Sequence, residues 1–378
     1  MDIIVEEFKN EKANSIRFNQ DYSMFSMATE RGYKIYQTFP LSDNHEKILF
    51  GGLSLCEMSY RSNYLALVGG GRLPKFPNKK VVIYNDNEDC IESEFKFTTP
   101  VINVKFKKNL IFIVCEKKIY VFNVETSQNI DCFDTIINKR GIIAVNGSPN
   151  KTIMAHPIAF NDQPDKGYVG IKNYKTNKYF PLLVHDEPIS FMEMDYYGLL
   201  LATCNDKGTI IRIHSCADKT LLYECKRGKD KTIINFISFD IDYKYMGIAS
   251  EKGTIHIWKL DDIIEKNTDS SFNDNKNKII NKSIENNFVS IENTIDNNSD
   301  LYDDKDLIDK FKIKKIKNYK TETSFAKIRI NHPKCIFSFV PGDIVIIISS
   351  DEQYYFSKLE NKGGYCILTG KPIKKGLD

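Results

Sequence analysis

Lys226 and Arg227 stand together in Cys225-Lys226-Arg227-Gly228, and on either side lies a near-copy of one pattern. Asp206-Lys207-Gly208-Thr209-Ile210-Ile211-Arg212 precedes the pair, and Glu251-Lys252-Gly253-Thr254-Ile255-His256-Ile257 follows it. Each copy offers an acid-Lys-Gly turn, then a threonine, then a cationic or imidazole side chain among β-branched residues. Such a set suits phosphate: Arg supplies a fork of donors, Lys a point charge, and hydroxyls complete the oxygens of a monoester. Successive side chains on an extended strand project to opposite faces. Lys226 and Arg227 are therefore expected to serve one groove each. Lys207, Thr209 and Arg212 wait on one side, and Ser250, Lys252, Thr254 and His256 on the other. His185, ahead of the first copy, and Thr232, just past the dipeptide, can join the two sets.

The elements that must position these residues are short strands. The two copies lie about 45 residues apart, the length of one four-stranded propeller blade. The same theme of short apolar strands separated by turns recurs seven times. It begins with Ser15 to Asn19, Met24 to Ala28 and Gly32 to Tyr36, and continues through Cys56–Tyr84, Val101–Phe122 and Ile142–Ile171. The fifth and sixth units run from Ile189 to Arg212 and from Ile234 to Ile257. The seventh is read as Ala326 to Ile330, Lys334 to Phe339, Ile344 to Ser349 and Gln353 to Phe356. Runs rich in Ile, Val, Tyr and Phe, punctuated by Gly, Asn and Asp, are strands rather than helices. The expected fold is an all-β, seven-bladed, WD40-like β-propeller spanning residues 1–378 as one domain, preferred over a pair of β-sandwiches.

Residues 261–323 break the rhythm with a low-complexity stretch of Asn, Asp, Lys and Ser, a long insertion in blade six. Within it Ile280, Ile284, Phe288, Ile291 and Ile295 recur at the spacing of one helix face. This stripe is a candidate membrane-inserting segment. A basic alternating piece, Lys310 to Lys317, is read either as a strand returning to blade six or as a patch for anionic lipid.

Other chemistries are poorly supported. The chain holds no G-x-S-x-G, no H-E-x-x-H and no pairing of carboxylates near a candidate cleft, so no enzyme is expected. Gly69-Gly70-Gly71-Arg72 lacks the Gly-Lys-Ser/Thr of a P-loop and is read as a mobile turn. Nine scattered cysteines, never in C-x-x-C, read as reduced thiols, and six histidines without H-x-x-x-H spacing argue against a metal. A net charge of +3 is too balanced for a protein that coats nucleic acid. The N-terminus lacks the basic region of a signal peptide, and no apolar run reaches the length of a membrane span. No cofactor is expected.

These residues resemble the PROPPIN family, the WIPI-type phosphoinositide-binding β-propellers, and within it the WIPI3/WIPI4-like branch. Ile16-Arg17-Phe18-Asn19-Gln20-Asp21 is similar to that branch's first-blade opening. Arg61-Ser62-Asn63 with Leu65 to Gly71 and Pro74-Lys75-Phe76 is similar to its second blade, and the two Lys-Gly-Thr copies to its fifth and sixth. The family's Phe-Arg-Arg-Gly or Leu-Arg-Arg-Gly stands here as Cys225-Lys226-Arg227-Gly228, so Lys226 keeps a charge and loses a fork.

By motif, the resemblance implies a first site of His185, Lys207, Thr209, Arg212 and Lys226. It implies a second of Arg227, Thr232, Ser250, Thr254 and His256. The implied ligands are phosphatidylinositol 3-phosphate and the 3,5-bisphosphate. Also implied are recruitment to autophagosomal, endosomal or vacuolar membranes as a cytoplasmic peripheral protein, a lipid-transfer partner of the autophagy machinery, and a blade-six loop that enters bilayers. A monomer is expected. The alternative is a WD-like protein-interaction scaffold that binds no lipid, and a propeller phosphatase is a distant third. The Asn-, Lys- and Ile-rich usage suits an AT-rich genome, which keeps a relict plastid membrane open as a minority location.

Overall fold

The structure is a computed structural model, and it describes residues 13–260, 264–266, 311–313, 320–330 and 332–373. Seven antiparallel sheets of four or five strands follow one another along the chain, the seven blades of a propeller. In each blade the strands pair in chain order, joined mostly by short turns, with blade six's third and fourth strands separated by the long insertion. Burial follows from that stacking. The second strands of blades four and six, Ile153–Ile158 and Tyr245–Ser250, are buried at every residue. A fourth strand such as Cys90–Lys96 buries only Phe95 fully. The second strands are covered on both faces by neighbouring blades and are mostly apolar; outer strands meet water and can be polar.

The core is thus a ring of inter-blade layers. Ala66, Val68, Val81 and Ile83 of blade two pack against Val104, Phe106, Ile111 and Ile113 of blade three. Between blades three and four, Lys107 is fully buried, and its Nζ donates to the carbonyl of Asn146 at 2.8 Å and to that of Ser148. Among the described residues the ring closes without exchanging a strand. Blade one is built from Ser15–Phe18, Met24–Ala28, Gly32–Gln37 and Ser42–Ile48, and blade seven from Cys335–Val340, Ile344–Ser349, Gln353–Lys358 and Thr369–Pro372. Their junction holds Phe25, Met27, Ile346 and Ile348, one backbone bond from Ala13 N–H to Ser350 O at 3.0 Å, and the Lys34–Glu352 ion pair at 3.3 Å.

Blade five comprises Ile189–Met194, Leu200–Asn205, Ile210–Ser215 and Leu221–Lys226, and a fifth strand, Lys320–Thr323, lies parallel to the last of these. Blade six comprises Ile234–Phe239, Tyr245–Ser250, Thr254–Lys259 and Ala326–Arg329, with Gly364–Tyr365 as its fifth, parallel strand. This corrects the reading of Ala326 to Ile330 as the start of blade seven. The third strand of blade six needs an antiparallel neighbour, and Ala326–Arg329 supplies it, with Ile255 opposite Ile328. Blade seven instead gains Thr369–Pro372, a Gly- and Pro-containing stretch without strand patterning in its sequence.

Residues 261–316 form a compact unit apart from the propeller unit of 1–260 and 317–378. In it Ile264–Lys266 pairs with Phe311–Ile313 as a two-stranded sheet. The stripe Ile280, Ile284, Phe288, Ile291 and Ile295 lies outside the described residues. The Gly69–Gly71 turn is pinned: Arg72 N–H donates to Glu30 Oε2 at 2.7 Å, and Gly71 takes a φ of +80°, a conformation that favours glycine. All nine cysteines are free thiols.

Candidate functional site

Lys226 ends the fourth strand of blade five, and its neighbours alternate as an extended strand requires. Cys225 is buried, Lys226 exposed, and Arg227 only 9% exposed. Arg227 is fixed from several directions. Its backbone N–H donates to Thr209 O at 2.9 Å, its Nε to Gly208 O at 2.7 Å, and its Nη2 to Asp230 O. Its Nη1 has no hydrogen-bond partner among the described residues. Gly208 has a φ of +58°, and a Cβ there would lie 2.1 Å from Thr232 O, so the close approach of this turn to Thr232 requires glycine.

The two sequence copies are not identical in space. Cys204 pairs with Ile211 on blade five, and Ala249 with Ile255 on blade six. Arg212 and His256 therefore occupy the same rung, although one stands third and the other second after its threonine. The blade-five turn is one residue longer, which leaves Thr209 in the turn while Thr254 opens its strand. Asn205 takes the rung that Ser250 holds on blade six: Ile189 pairs with Asn205 and Ile234 with Ser250.

Around the first groove, His185 is buried with Nε2 3.1 Å from Thr203 Oγ1. Arg212 Nη1 donates to Val184 O at 2.9 Å, and its Nε lies 3.3 Å from Glu224. Lys207 pairs with Glu187, which also accepts from Asn205 Nδ2 at 2.9 Å. Around the second, Thr232 and Ser250 are buried, Lys252 pairs with Asp230 at 3.1 Å, and His256 Nδ1 lies 3.2 Å from Ser324 Oγ. Each of these lysines, and Arg212, thus carries a carboxylate, while Lys226 forms no ion pair among the described residues. Lys207, Arg212 and Lys252 can receive an anion by exchanging one charge partner for another.

Sequence reasoning missed the outer strand of blade six. Arg329 pairs with Thr254 as Lys226 pairs with Ile210, and Lys327 pairs with His256 as Glu224 pairs with Arg212. Where blade five places a carboxylate, blade six places a lysine. The long intervening insertion separates Ala326–Arg329 from its blade, so only pairing with Thr254–Lys259 could have found these two cations. Among the described residues, Glu88, Cys90 and Glu92 are near enough to share an ion; the two carboxylates are exposed, on blade two. No described helix is long and apolar enough to cross a membrane.

Desolvation by burial dominates the imidazoles. It pushes His156, His185 and His256 down to about 4 and His214 to about 3, and Lys327 and Arg227 add to the effect at His256. The folded state holds these rings neutral, so their contribution is complete above about pH 6.5 and is lost as pH falls towards 4. Each should cost about 2 kcal/mol by pH 5, offset in part by Glu193 and Asp195, whose carboxyls burial raises. Thermal melts should therefore lose several degrees between pH 7 and pH 5, and His214→Gln should flatten that decline. An unchanged Tm across the interval would refute the assignment.

Comparison with known proteins bears on this arrangement. The profile of the PROPPIN family matches residues 13–300. The chain belongs to the PROPPIN family. Among curated PROPPIN-like relatives, it is 31% identical over 256 residues to Autophagy-related protein 18e of Arabidopsis thaliana, covering 66% of either chain. It is 30% identical to SVP1-like protein 2 of Pichia angusta over 64% of this chain and 68% of that one. The chain thus spans about two thirds of the length of the curated relatives it matches. Among solved structures, Kluyveromyces lactis Hsv2 with complete loop 6CD superposes with a TM-score of 0.71 at 17% identity, over 96% of this chain and 100% of that one. That likeness carries the PROPPIN fold: seven blades.

Proposed function

We propose that this PROPPIN reads 3-phosphorylated phosphoinositides on a cytosolic membrane face and does so without catalysis. Phosphatidylinositol 3-phosphate and the 3,5-bisphosphate are its ligands. The observation that carries the reading is the pair Lys226 and Arg227: adjacent at one strand end, Lys226 exposed and Arg227 buried, with Arg227 near enough to His256 of blade six to push its imidazole down. His185, Lys207, Thr209, Arg212 and Lys226 form the first site. Arg227, Thr232, Ser250, Thr254 and His256 form the second, with Lys327 and Arg329 flanking it. Two weak headgroup sites on one rim reinforce each other through effective concentration. The protein acts as a peripheral recruiter on autophagosomal, endosomal or vacuolar membranes, as a monomer beside a lipid-transfer protein of the autophagy machinery. The family membership and the autophagy-related names of its relatives support this role.

Co-flotation of the purified protein with vesicles, with and without phosphatidylinositol 3-phosphate, tests the reading. Binding is expected only with the 3-phosphate and should weaken as salt rises, because screening acts on rim cations. A protein that floats equally with phosphatidylserine alone, or not at all, would instead be a scaffold for an acidic peptide.

A further inference from the structure

The fifth strand of blade six has no reason in folding to be apolar. The corresponding strand of blade five sets Thr321 beside Glu224 and Thr323 beside Lys226, both exposed and polar. Blade six sets Tyr365 beside Lys327, and the bond from Cys366 N–H to Lys327 O at 3.0 Å carries the pairing one step further. Paired residues project to the same face, and so do residues two apart on a strand. Reading outward across the sheet, Thr254 and His256 come first, then Arg329 and Lys327, then Tyr365 beside Lys327; Ile367 follows two residues on, just past the strand, where its carbonyl accepts from Ser357 Oγ at 2.7 Å. Tyr365 is 73% exposed and Ile367 81%. Lys327 Nζ stands 5.9 Å from the Tyr365 ring.

We propose that Tyr365 and Ile367 form an apolar edge that enters the interfacial layer of a bilayer beside the second phosphate groove. The inference rests on the lipid reading above. The order of the ladder is that of a membrane surface: phosphate ligands, then cations at headgroup depth, then a tyrosine and an aliphatic side chain at the acyl boundary. Continuity with the cationic strand distinguishes a bilayer from an apolar peptide, which would draw nothing from Lys327 and Arg329. The edge lies outside residues 261–323 and would add to whatever that insertion contributes.

The test compares wild type with Tyr365→Ser/Ile367→Ser in two assays. Affinity for soluble inositol 1,3-bisphosphate, by calorimetry, is expected to stay equal, which also certifies the fold. Affinity for vesicles carrying phosphatidylinositol 3-phosphate should fall about tenfold or more, from the lost transfer of two apolar side chains. A variant that floats like wild type overturns the edge and leaves the headgroup sites standing.

An arm independent of the headgroup uses Tyr365→Trp, tethered by a histidine tag to nickel-chelating vesicles with brominated acyl chains and no phosphoinositide. Wild type, whose Trp258 is fully buried, gives the baseline. Quenching beyond that baseline is expected, and its absence overturns the edge whatever the grooves bind. Quenching here, together with a wild type that ignores the 3-phosphate, would keep the edge and overturn the headgroup reading.

Discussion

Arg227→Thr should nearly abolish flotation with phosphatidylinositol 3-phosphate vesicles, whereas Lys226→Thr should weaken it less. The difference comes from how the two cations are held. Arg227 is buried, oriented by Gly208 O and Asp230 O, and keeps Nη1 for a ligand. A charge-assisted bond from a pre-oriented guanidinium is worth about 1.5–3 kcal/mol, or roughly 10- to 100-fold at one site. If the two proposed sites act through effective concentration, vesicle binding should drop further than headgroup binding at the second site alone. Lys226 is exposed and must order a flexible stem before it contributes.

Lys226→Arg should accordingly strengthen binding several-fold by restoring a fork at the first site. Flotation of the three variants at one salt concentration decides the matter. Equal losses at 226 and 227 would sink the asymmetry, and a floating Arg227→Thr would sink the second site. Arg227→Thr also removes a donor from Gly208 O, so its melting temperature should be compared alongside.

Trp258→Ala should cost about 3–5 kcal/mol, among the largest effects of any single change in this chain. Trp258 is fully buried on the third strand of blade six, its ring 6.1 Å from that of His256 and nearly parallel to it. Its Nε1 donates to Glu322 O at 3.3 Å, and Glu322 belongs to the fifth strand of blade five. One side chain thus fills the core of blade six and ties it to the outer edge of blade five. Truncation leaves a cavity and releases that carbonyl. A fall in Tm of about 4–6 °C is expected for a chain of this length, with Trp258→Phe recovering most of it by filling the space. A Trp258→Ala protein that melts like wild type would show that the two blades do not depend on this contact.

Much of the fold was legible in the chain because the second strands are covered on both faces and must be mostly apolar. Runs such as Leu110–Cys115 and Ile344–Ser349 cannot be mistaken. Outer strands face water, so Cys90–Lys96 and Asn129–Asp134 carry too little pattern to announce themselves. The same blindness misplaced Ala326–Arg329: its four residues fit blade six or blade seven, and only pairing across the insertion decides. The alternation at Lys226 and Arg227 followed from strand geometry and needed no fold. The carboxylates Glu187, Glu224 and Asp230 stood in plain sight in the sequence, yet their partners are set by register, which one extra residue in the blade-five turn shifts. Lys327 and Arg329 were hidden for the same reason.

The manner of ring closure has a mechanical consequence. Because blades one and seven each draw their strands from one end of the chain, no hydrogen-bonded ladder crosses the seam among the described residues. The molecule is a split washer rather than a clasped bracelet. Parting it there would expose the layer of Phe25, Met27, Ile346 and Ile348 and break the Lys34–Glu352 pair, while every sheet kept its own strands. Blades five and six, each thickened by an extra strand, take no part in that seam, so the rim proposed to meet phosphate keeps its sheets. Force or heat applied to this ring should find the seam before it parts any sheet.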